Sequence, residues 1–176
     1  MTSVLLAAAL AIVGITSVAT QQPSRPPDIY FATTRQVVVD EMLRLASVAP
    51  DELVVDLGSG DGRIPIVAAQ KYGARGLGVE IDAGLVARSR ASARDGQVEG
   101  RVSFVQGNLF DADVRAADVV TLYLSESING ELEPKLRREL RPGARIVSHQ
   151  FPIGRWTPDR TLRASDGTTL YLWVIK

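Results

Sequence analysis

The residues of this chain that are best suited to chemistry are three closely spaced glycines and an acidic residue that precedes them. Gly58, Gly60 and Gly62 alternate with Ser59 in one short segment, and Asp56 stands two residues before the first glycine. Closely spaced glycines let a backbone approach a ligand without interference from Cβ atoms, and the positive end of a following helix attracts a negative group. These five residues are therefore candidate ligand-binding residues, with a plain strand-to-helix turn as the alternative.

The spacing of the glycines argues against a dinucleotide ligand. A dinucleotide loop has the pattern Gly-x-Gly-x-x-Gly, which is fitted to a pyrophosphate, whereas the pattern here is Gly-x-Gly-x-Gly with Asp56 before it. A carboxylate repels a pyrophosphate but attracts an amino group. We therefore expect a zwitterionic ligand, and S-adenosylmethionine, with an amine and a carboxylate at one end and adenosine at the other, has that character.

Two later positions complete the candidate cofactor site. Glu80 ends a predicted strand about twenty residues after the loop. At this separation in a strand–helix–strand unit, an acid reaches the hydroxyls of a ribose. We expect Glu80 to accept hydrogen bonds from both hydroxyls. Asn108 and Leu109 follow the next predicted strand. We expect Asn108 to meet the edge of the adenine while Leu109 packs against the ring, with a simple turn role for Asn108 as the alternative.

The elements that must position these residues alternate between strands and helices. Hydrophobic periodicity predicts helices over residues 34–46, 62–72, 83–93 and 130–140 and strands over 53–57, 76–81, 102–105, 118–124 and 144–148. A hairpin of strands 161–164 and 170–175 ends the chain. Such alternation predicts an α/β fold: a Rossmann-like, doubly wound, mostly parallel sheet with a C-terminal antiparallel hairpin strand. Ligands bind beyond the carboxyl ends of such strands, where the glycine loop falls.

Composition excludes several classes of function. The 176 residues fit one domain, placed at 29–176. Twenty acidic residues balance twenty basic ones, so the chain has no excess of positive charge to neutralise phosphates, and we expect no nucleic-acid partner. Without cysteine and with His149 as the single histidine, we expect no metal. A lone histidine at a strand end is more often a core residue than a base, and we assign it no catalytic role.

The first 28 residues do not follow the pattern of the domain. Residues 1–20 are mostly apolar and predict a helix outside the domain, and residues 21–28 form a Pro-rich linker. An apolar run of about sixteen residues gives about 24 Å of helix, short of the roughly 30 Å hydrocarbon core. Because Arg25, Arg35 and Arg44 follow the run, we expect a membrane anchor with the domain facing the cytoplasm. A cleaved signal peptide followed by export and a misassigned start codon are the alternatives.

The motifs also carry a family resemblance. The segment 56–63 resembles the first motif of class I S-adenosylmethionine-dependent methyltransferases, and 78–82 resembles the second. Segments 30–34 and 148–156 extend the resemblance, over about residues 28–160, to a small bacterial group and to the mitochondrial protein-lysine methyltransferases that modify the c-subunit of the ATP synthase and the adenine nucleotide translocase.

The resemblance implies further roles. In those relatives an apolar segment before the domain serves membrane attachment or targeting, and residues at the positions of Tyr30 and Thr33 border the methionine end of the cofactor. Asn108 replaces the acid usual in the family. An asparagine can still accept a hydrogen bond from an adenine amino group.

Our leading hypothesis is methyl transfer to a protein lysine, on a partner that is embedded in or bound to a membrane. In-line displacement requires alignment and exclusion of water more than acid–base groups. We assign no catalytic residue but expect Tyr123, Phe151 and Trp156 to form an aromatic mouth that lowers the pKa of the lysine by desolvation. Packing is the alternative role for Tyr123 and Trp156.

Two other functions remain open at this stage. Methylation of a lipid or small molecule near the membrane is compatible with the apolar N-terminus. An exported, non-catalytic binding module that kept the fold is the alternative from another class. The donor is made in the cytoplasm, which argues against the exported module.

Overall fold

A seven-stranded sheet forms the centre of the computed structural model, which describes residues 33–176. The strands run in the order β3-β2-β1-β4-β5-β7-β6. Neighbouring strands from β3 to β5 are parallel, whereas β7 is antiparallel to both β5 and β6. The strands are β1 (Leu53–Leu57), β2 (Arg75–Glu80), β3 (Val102–Gln106), β4 (Val119–Leu122), β5 (Arg145–His149), β6 (Arg160–Arg163) and β7 (Thr169–Val174).

Within residues 33–176, four helices cover the two faces of the sheet. They are α1 (Gln36–Leu45), α2 (Arg63–Tyr72), α3 (Ala83–Asp95) and α4 (Glu126–Glu139), and a 3₁₀ turn spans Leu109–Asp111. One face packs Met42 of α1 and Ala68 of α2 against Val54, while the other packs Leu136 of α4 against Val55. Consecutive residues of β1 thus point into different cores, and a strand buried on both faces must be apolar almost throughout. Asp56 is the exception in β1.

The observed topology confirms the predicted fold class, and the differences lie at the ends of elements. The prediction began the fourth helix at residue 130, but it begins at Glu126 because the Ser125 hydroxyl caps it, accepting from the Ile128 N–H (3.4 Å). The strand predicted to reach residue 124 ends at Leu122. Tyr123 therefore lies at the carboxyl edge of the sheet, outside the strand.

The C-terminal hairpin places the last strand inside the sheet and leaves β6 at the edge. His149 of β5 pairs with Leu170 of β7, so the turn between β6 and β7 lies near the carboxyl end of β5. The predicted N-terminal helix, the linker and Tyr30 lie outside the described residues. Within 33–176, no helix combines the length and apolar character needed to cross a membrane.

Candidate functional site

The carboxyl ends of β1 and β2 bring the glycine loop and Glu80 together, as the sequence predicts. Glu80 Oε2 accepts a hydrogen bond from the Gly60 N–H (2.9 Å). Its Oε1 accepts from the N–H groups of Ile81 (2.8 Å) and Asp82 (3.0 Å). Three backbone donors therefore hold this buried carboxylate in a fixed orientation beside the loop, where it can accept further hydrogen bonds from a ribose.

The glycines serve packing as well as access to a ligand. Gly58, Gly60 and Gly62 all have positive φ values (79°, 54° and 78°), a conformation that glycine adopts at no steric cost. A Cβ atom on Gly62 would lie 2.6 Å from the ring of Phe104 and 2.8 Å from Cβ of Ser89. The loop thus sits directly on β3 and α3, a packing reason for glycine that the local motif does not reveal.

Asp56 is a buried acid with a partner on the neighbouring strand. The Thr121 hydroxyl of β4 donates to Asp56 Oδ1 (2.7 Å). Burial raises the pKa of Asp56 to about 7; the hydrogen bond from Thr121 opposes this effect, and the charges of Glu80 and Asp61 add to it. A cationic amine beside Asp56 would favour the ionised form. Thr121 was missed by sequence reasoning, although a hydroxyl in an otherwise apolar strand is a usable signal.

We predict that cofactor affinity depends on pH through Asp56. If the ionised carboxylate holds the amine, the dissociation constant for S-adenosylhomocysteine should fall by about tenfold per pH unit from about pH 5.5 to about 7. Calorimetric titrations at three pH values measure this slope, and Asp56→Asn should remove it. An unchanged slope in Asp56→Asn would show that another group is responsible.

The same pKa shift has the opposite effect on the cofactor-free protein. A carboxyl with a raised folded-state pKa stabilises the fold fully below its unfolded-state pKa of 3.8, and this contribution is lost as the pH rises to about 7. Asp56→Asn should flatten this part of the pH dependence of the free energy of unfolding.

Arg63 ties the glycine loop to the segment before α1. Its guanidinium donates to Asp61 through Nε (2.8 Å) and Nη2 (2.5 Å), and its Nη1 donates to the Thr34 carbonyl (2.7 Å). Thr33 and Tyr123 join Thr34 and the loop in lining a cleft. The resemblance assigned Thr33 to this region, whereas the role of Arg63 becomes visible only in the folded chain.

Two of the three predicted aromatic residues lie at the carboxyl edge. Tyr123 lines the cleft and stacks on His149, with ring centroids 4.1 Å apart and planes at 33°. Phe151 follows β5, and its carbonyl accepts from Ser148 Oγ (2.6 Å) and Asn129 Nδ2 (3.1 Å). The loop that carries Phe151 is therefore held by two buried polar side chains that sequence reasoning did not select.

Trp156 does not join them, and its inclusion in the aromatic mouth was wrong. Its ring lies under the Arg137 guanidinium (3.7 Å to the centroid) and 6.0 Å from the ring of Trp173. Arg137 is about three turns, or about 16 Å, along α4 from Glu126 at the carboxyl edge. Trp173 pairs with Ile146, in the first half of β5. Trp156 is a packing residue because the chain after Phe151 runs away from the cleft.

Asn108 adopts the turn role that was the alternative to an adenine contact. Its Oδ1 accepts from the Phe110 N–H (3.0 Å) and caps the 3₁₀ turn. Leu109 is half-buried against the core under α4. An adenine contact through Asn108 and Leu109 stays a prediction.

The site fits the methionine and ribose parts of S-adenosylmethionine. Ser59 lines the cleft, while its Oγ is buried against Gly78 of β2 without a hydrogen-bond partner within residues 33–176. Asp56 offers a carboxylate for an amine, and Glu80 lies at the end of the neighbouring strand. The described residues contain no group of three or more His, Asp or Glu side chains that could hold a metal ion.

Comparison with known proteins identifies the class. An RNA methyltransferase from Salinibacter ruber, solved with S-adenosyl-L-homocysteine, is 51% identical, has a TM-score of 0.80, and covers 82% of this chain and 94% of its own. A Geobacter sulfurreducens methyltransferase with the same ligand is 26% identical with a TM-score of 0.55 over 62% of this chain and 47% of its own. The fold, the loop and these likenesses define an S-adenosylmethionine-dependent methyltransferase, for which S-adenosylmethionine is the methyl donor.

Sequence relatives narrow the class to a family. The ANTKMT methyltransferase domain matches residues 56–160, and the chain belongs to that family. A protein-lysine N-methyltransferase from Saccharolobus islandicus is 42% identical over 153 residues, 85% of this chain and 95% of that protein. The ATP synthase c-subunit lysine N-methyltransferase of Mus musculus is 37% identical over 130 residues, 74% of this chain and 51% of the mouse protein. The chain thus spans about half the length of the mouse relative.

Proposed function

We propose that the protein methylates the side chain of lysine residues in a protein acceptor. The observation that carries the proposal is the 42% identity to a protein-lysine N-methyltransferase along nearly the whole length of that relative. The geometry agrees with it, because the cleft presents the aromatic ring of Tyr123 beside the cofactor loop. An aromatic wall suits an alkyl amine, since it excludes water from the lysine side chain and lowers the pKa of its ammonium group.

The residues of the chain have distinct tasks in this reaction. When bound, S-adenosylmethionine supplies a methyl group on a sulfonium. Asp56 and the glycine loop hold the amino-acid end of the donor, and Glu80 holds the ribose. Tyr123 and Phe151 border the approach of the lysine. Because displacement at a methyl group needs an aligned nucleophile and little acid–base chemistry, fixed orientation supplies most of the rate enhancement.

We further propose that the acceptor is associated with a membrane and that residues 1–20 anchor the protein with its domain facing the cytoplasm. The support is the apolar run followed by arginines at positions 25, 35 and 44. Fusing alkaline phosphatase or a fluorescent protein to the C-terminus tests the topology. We expect fluorescence without phosphatase activity, and phosphatase activity would place the domain outside the cytoplasm.

RNA is the second candidate acceptor, because the Salinibacter ruber relative with 51% identity is named an RNA methyltransferase. The equal numbers of acidic and basic residues in this chain argue against it, since proteins bind RNA largely through neutralised phosphates. A lipid acceptor is the third candidate. The three acceptor types differ in chemistry, so one labelling experiment separates them.

We expect the full chain with tritiated S-adenosylmethionine to label protein in membranes of the organism that encodes it. Parallel reactions contain membrane protein, total RNA and a lipid extract, and acid hydrolysis of labelled protein should release methylated lysine. Glu80→Ala should transfer no label, whereas Glu99→Ala, at an exposed position outside the site, should match the unaltered protein. Label confined to RNA or lipid would refute the lysine assignment.

A further inference from the structure

The single histidine of the chain lies in a line of hydrogen bonds that ends at the cofactor cleft. His149 Nε2 is 3.0 Å from Thr168 Oγ1, which donates to Asp166 Oδ1 (2.6 Å) in the turn between β6 and β7. On the other side of the ring, Nδ1 is 3.3 Å from Thr34 Oγ1. This line, Asp166–Thr168–His149–Thr34, joins the C-terminal hairpin to the segment that precedes α1.

The chemistry of the four groups determines the direction of each hydrogen bond. The Asp166 carboxylate can only accept, because its hydrogen bonds from Thr168 hold its pKa below the usual value. The one hydroxyl proton of Thr168 is therefore donated to Asp166, so His149 must donate its Nε2–H to Thr168. In the neutral ring Nδ1 then carries a lone pair, and it accepts the hydroxyl proton of Thr34. The network leaves a basic nitrogen directed at a cleft-lining hydroxyl.

The basic nitrogen of His149 is directed, through Thr34, at the cleft in which the proposed acceptor lysine must lose a proton. His149 and Thr34 are only 3% and 4% exposed. Thr34 and Tyr123 both line the cleft, and the Tyr123 ring covers one face of the imidazole. Because the side chains of His149 and Thr34 are both buried, bulk water has little access to a proton passed between them. The Thr34 hydroxyl is a polar group through which the proton of a lysine ammonium can pass.

We propose that His149 takes up the proton of the acceptor lysine through the hydroxyl of Thr34, an inference that rests on the proposed lysine acceptor. The ammonium gives one proton to Thr34 Oγ1, and Thr34 gives its own proton to His149 Nδ1. The lysine amine then attacks the methyl carbon as the bond from carbon to sulfur breaks. The products are a methylated ammonium, S-adenosylhomocysteine and a His149 imidazolium, which returns its proton to solvent after product release.

The charges around the ring are compatible with this uptake. Burial lowers the pKa of His149 and the carboxylate of Asp166 partly opposes this, so the ring is neutral and able to accept at pH 7. Arg35, the residue before α1, lies near Asp166. Arg63 contacts Thr34 only through its carbonyl and is neutralised by Asp61. From the segment after β4, Tyr123 faces the ring. Within the described residues, Asp166 is thus the acid that would stabilise the imidazolium.

The test is the pH profile of methyl transfer by the full chain, with poly-L-lysine as the acceptor probe. For His149→Gln we expect turnover at pH 7 to fall by about 100-fold, since proton-transfer groups contribute about 10²–10⁴-fold. The deficit should shrink to about threefold near pH 10, where the lysine loses its proton to solvent. The unaltered protein should lose activity at a pH below 6.5, as His149 is protonated, and the variant should lack this acid limb.

A purely structural role predicts a different result. If His149 only pins the hairpin to α1, His149→Gln should lose the same factor at every pH, or lose affinity for S-adenosylhomocysteine, and either outcome would overturn the proposal. Thr34→Val and Thr34→Ser provide an independent pair in case His149→Gln does not fold. The valine variant should show the pH-dependent deficit and the serine variant should restore turnover to within about threefold, because it keeps the hydroxyl.

Two controls separate the possible failures. Thr161→Val, on the exposed edge strand β6, should behave as the unaltered protein throughout. Calorimetry with S-adenosylhomocysteine is run on every variant. If the unaltered protein binds this ligand but transfers no methyl group to the lysines of poly-L-lysine or of membrane protein, the lysine acceptor is refuted and the proton path with it. If it transfers methyl groups with the same pH profile as His149→Gln, only the proton path is refuted.

Discussion

Glu80→Ala is expected to weaken the binding of S-adenosylhomocysteine by about 100-fold or more. A hydrogen bond to a charged group contributes about 1.5–3 kcal/mol, so the loss of two ribose contacts corresponds to about 10²–10⁴ in affinity. The variant also leaves the N–H of Gly60 without its acceptor, which loosens the loop that must contact the donor. Isothermal titration calorimetry on the purified protein measures the change.

The controls for this prediction address charge and folding separately. Glu80→Gln keeps the shape of the side chain but removes its charge, and one of its amide hydrogens would face a backbone N–H. We expect a loss of affinity nearly as large as that of the alanine variant. Glu99→Ala removes one negative charge from an exposed position and should leave the affinity unchanged. Unaltered binding in a folded Glu80→Ala variant would contradict the assignment of the cofactor site.

Gly62→Ala is expected to lower the melting temperature by about 5–15 °C. An alanine at a φ of 78° costs about 1–2 kcal/mol, and its Cβ would overlap the ring of Phe104, at a further cost of about 1–3 kcal/mol. One kcal/mol corresponds to about 2–4 °C in a chain of this size. Differential scanning calorimetry of the cofactor-free protein provides the measurement.

Gly143→Ala is the matched control for the strain alone. Gly143 has a φ of 87°, but a Cβ there would meet no atom within 4 Å. Its melting temperature should therefore fall by only about 2–8 °C. Equal losses in the two variants would mean that the glycine loop is not packed against Phe104. The Gly62 variant alone should also bind S-adenosylhomocysteine more weakly, because Ser89, which donates to the Gly60 carbonyl (3.0 Å), is displaced.

The local patterns of the sequence determined the strands and most of the helices, and they selected the glycine loop and Glu80, which the fold brings together. Burial on both faces requires an apolar run such as Leu53–Leu57, and this requirement acts on consecutive residues. The turn from β1 into α2 needs positive φ values at fixed intervals, so its glycines are visible as a motif. Glu80 could be placed because the length of one strand-helix-strand unit fixes its separation from the loop.

Only the tertiary structure decided which distant residues meet. Asp56 faces Thr121 because β1 lies beside β4, and Arg63 reaches Thr34 because α2 packs next to the start of α1. The contact between Thr34 and His149 joins positions 115 residues apart. The sequence analysis placed Trp156 in the aromatic mouth for the same reason. The sequence shows that this residue is aromatic but does not show the path of the chain after β5. Strand order and register arise from packing of the whole domain, and no local pattern encodes them.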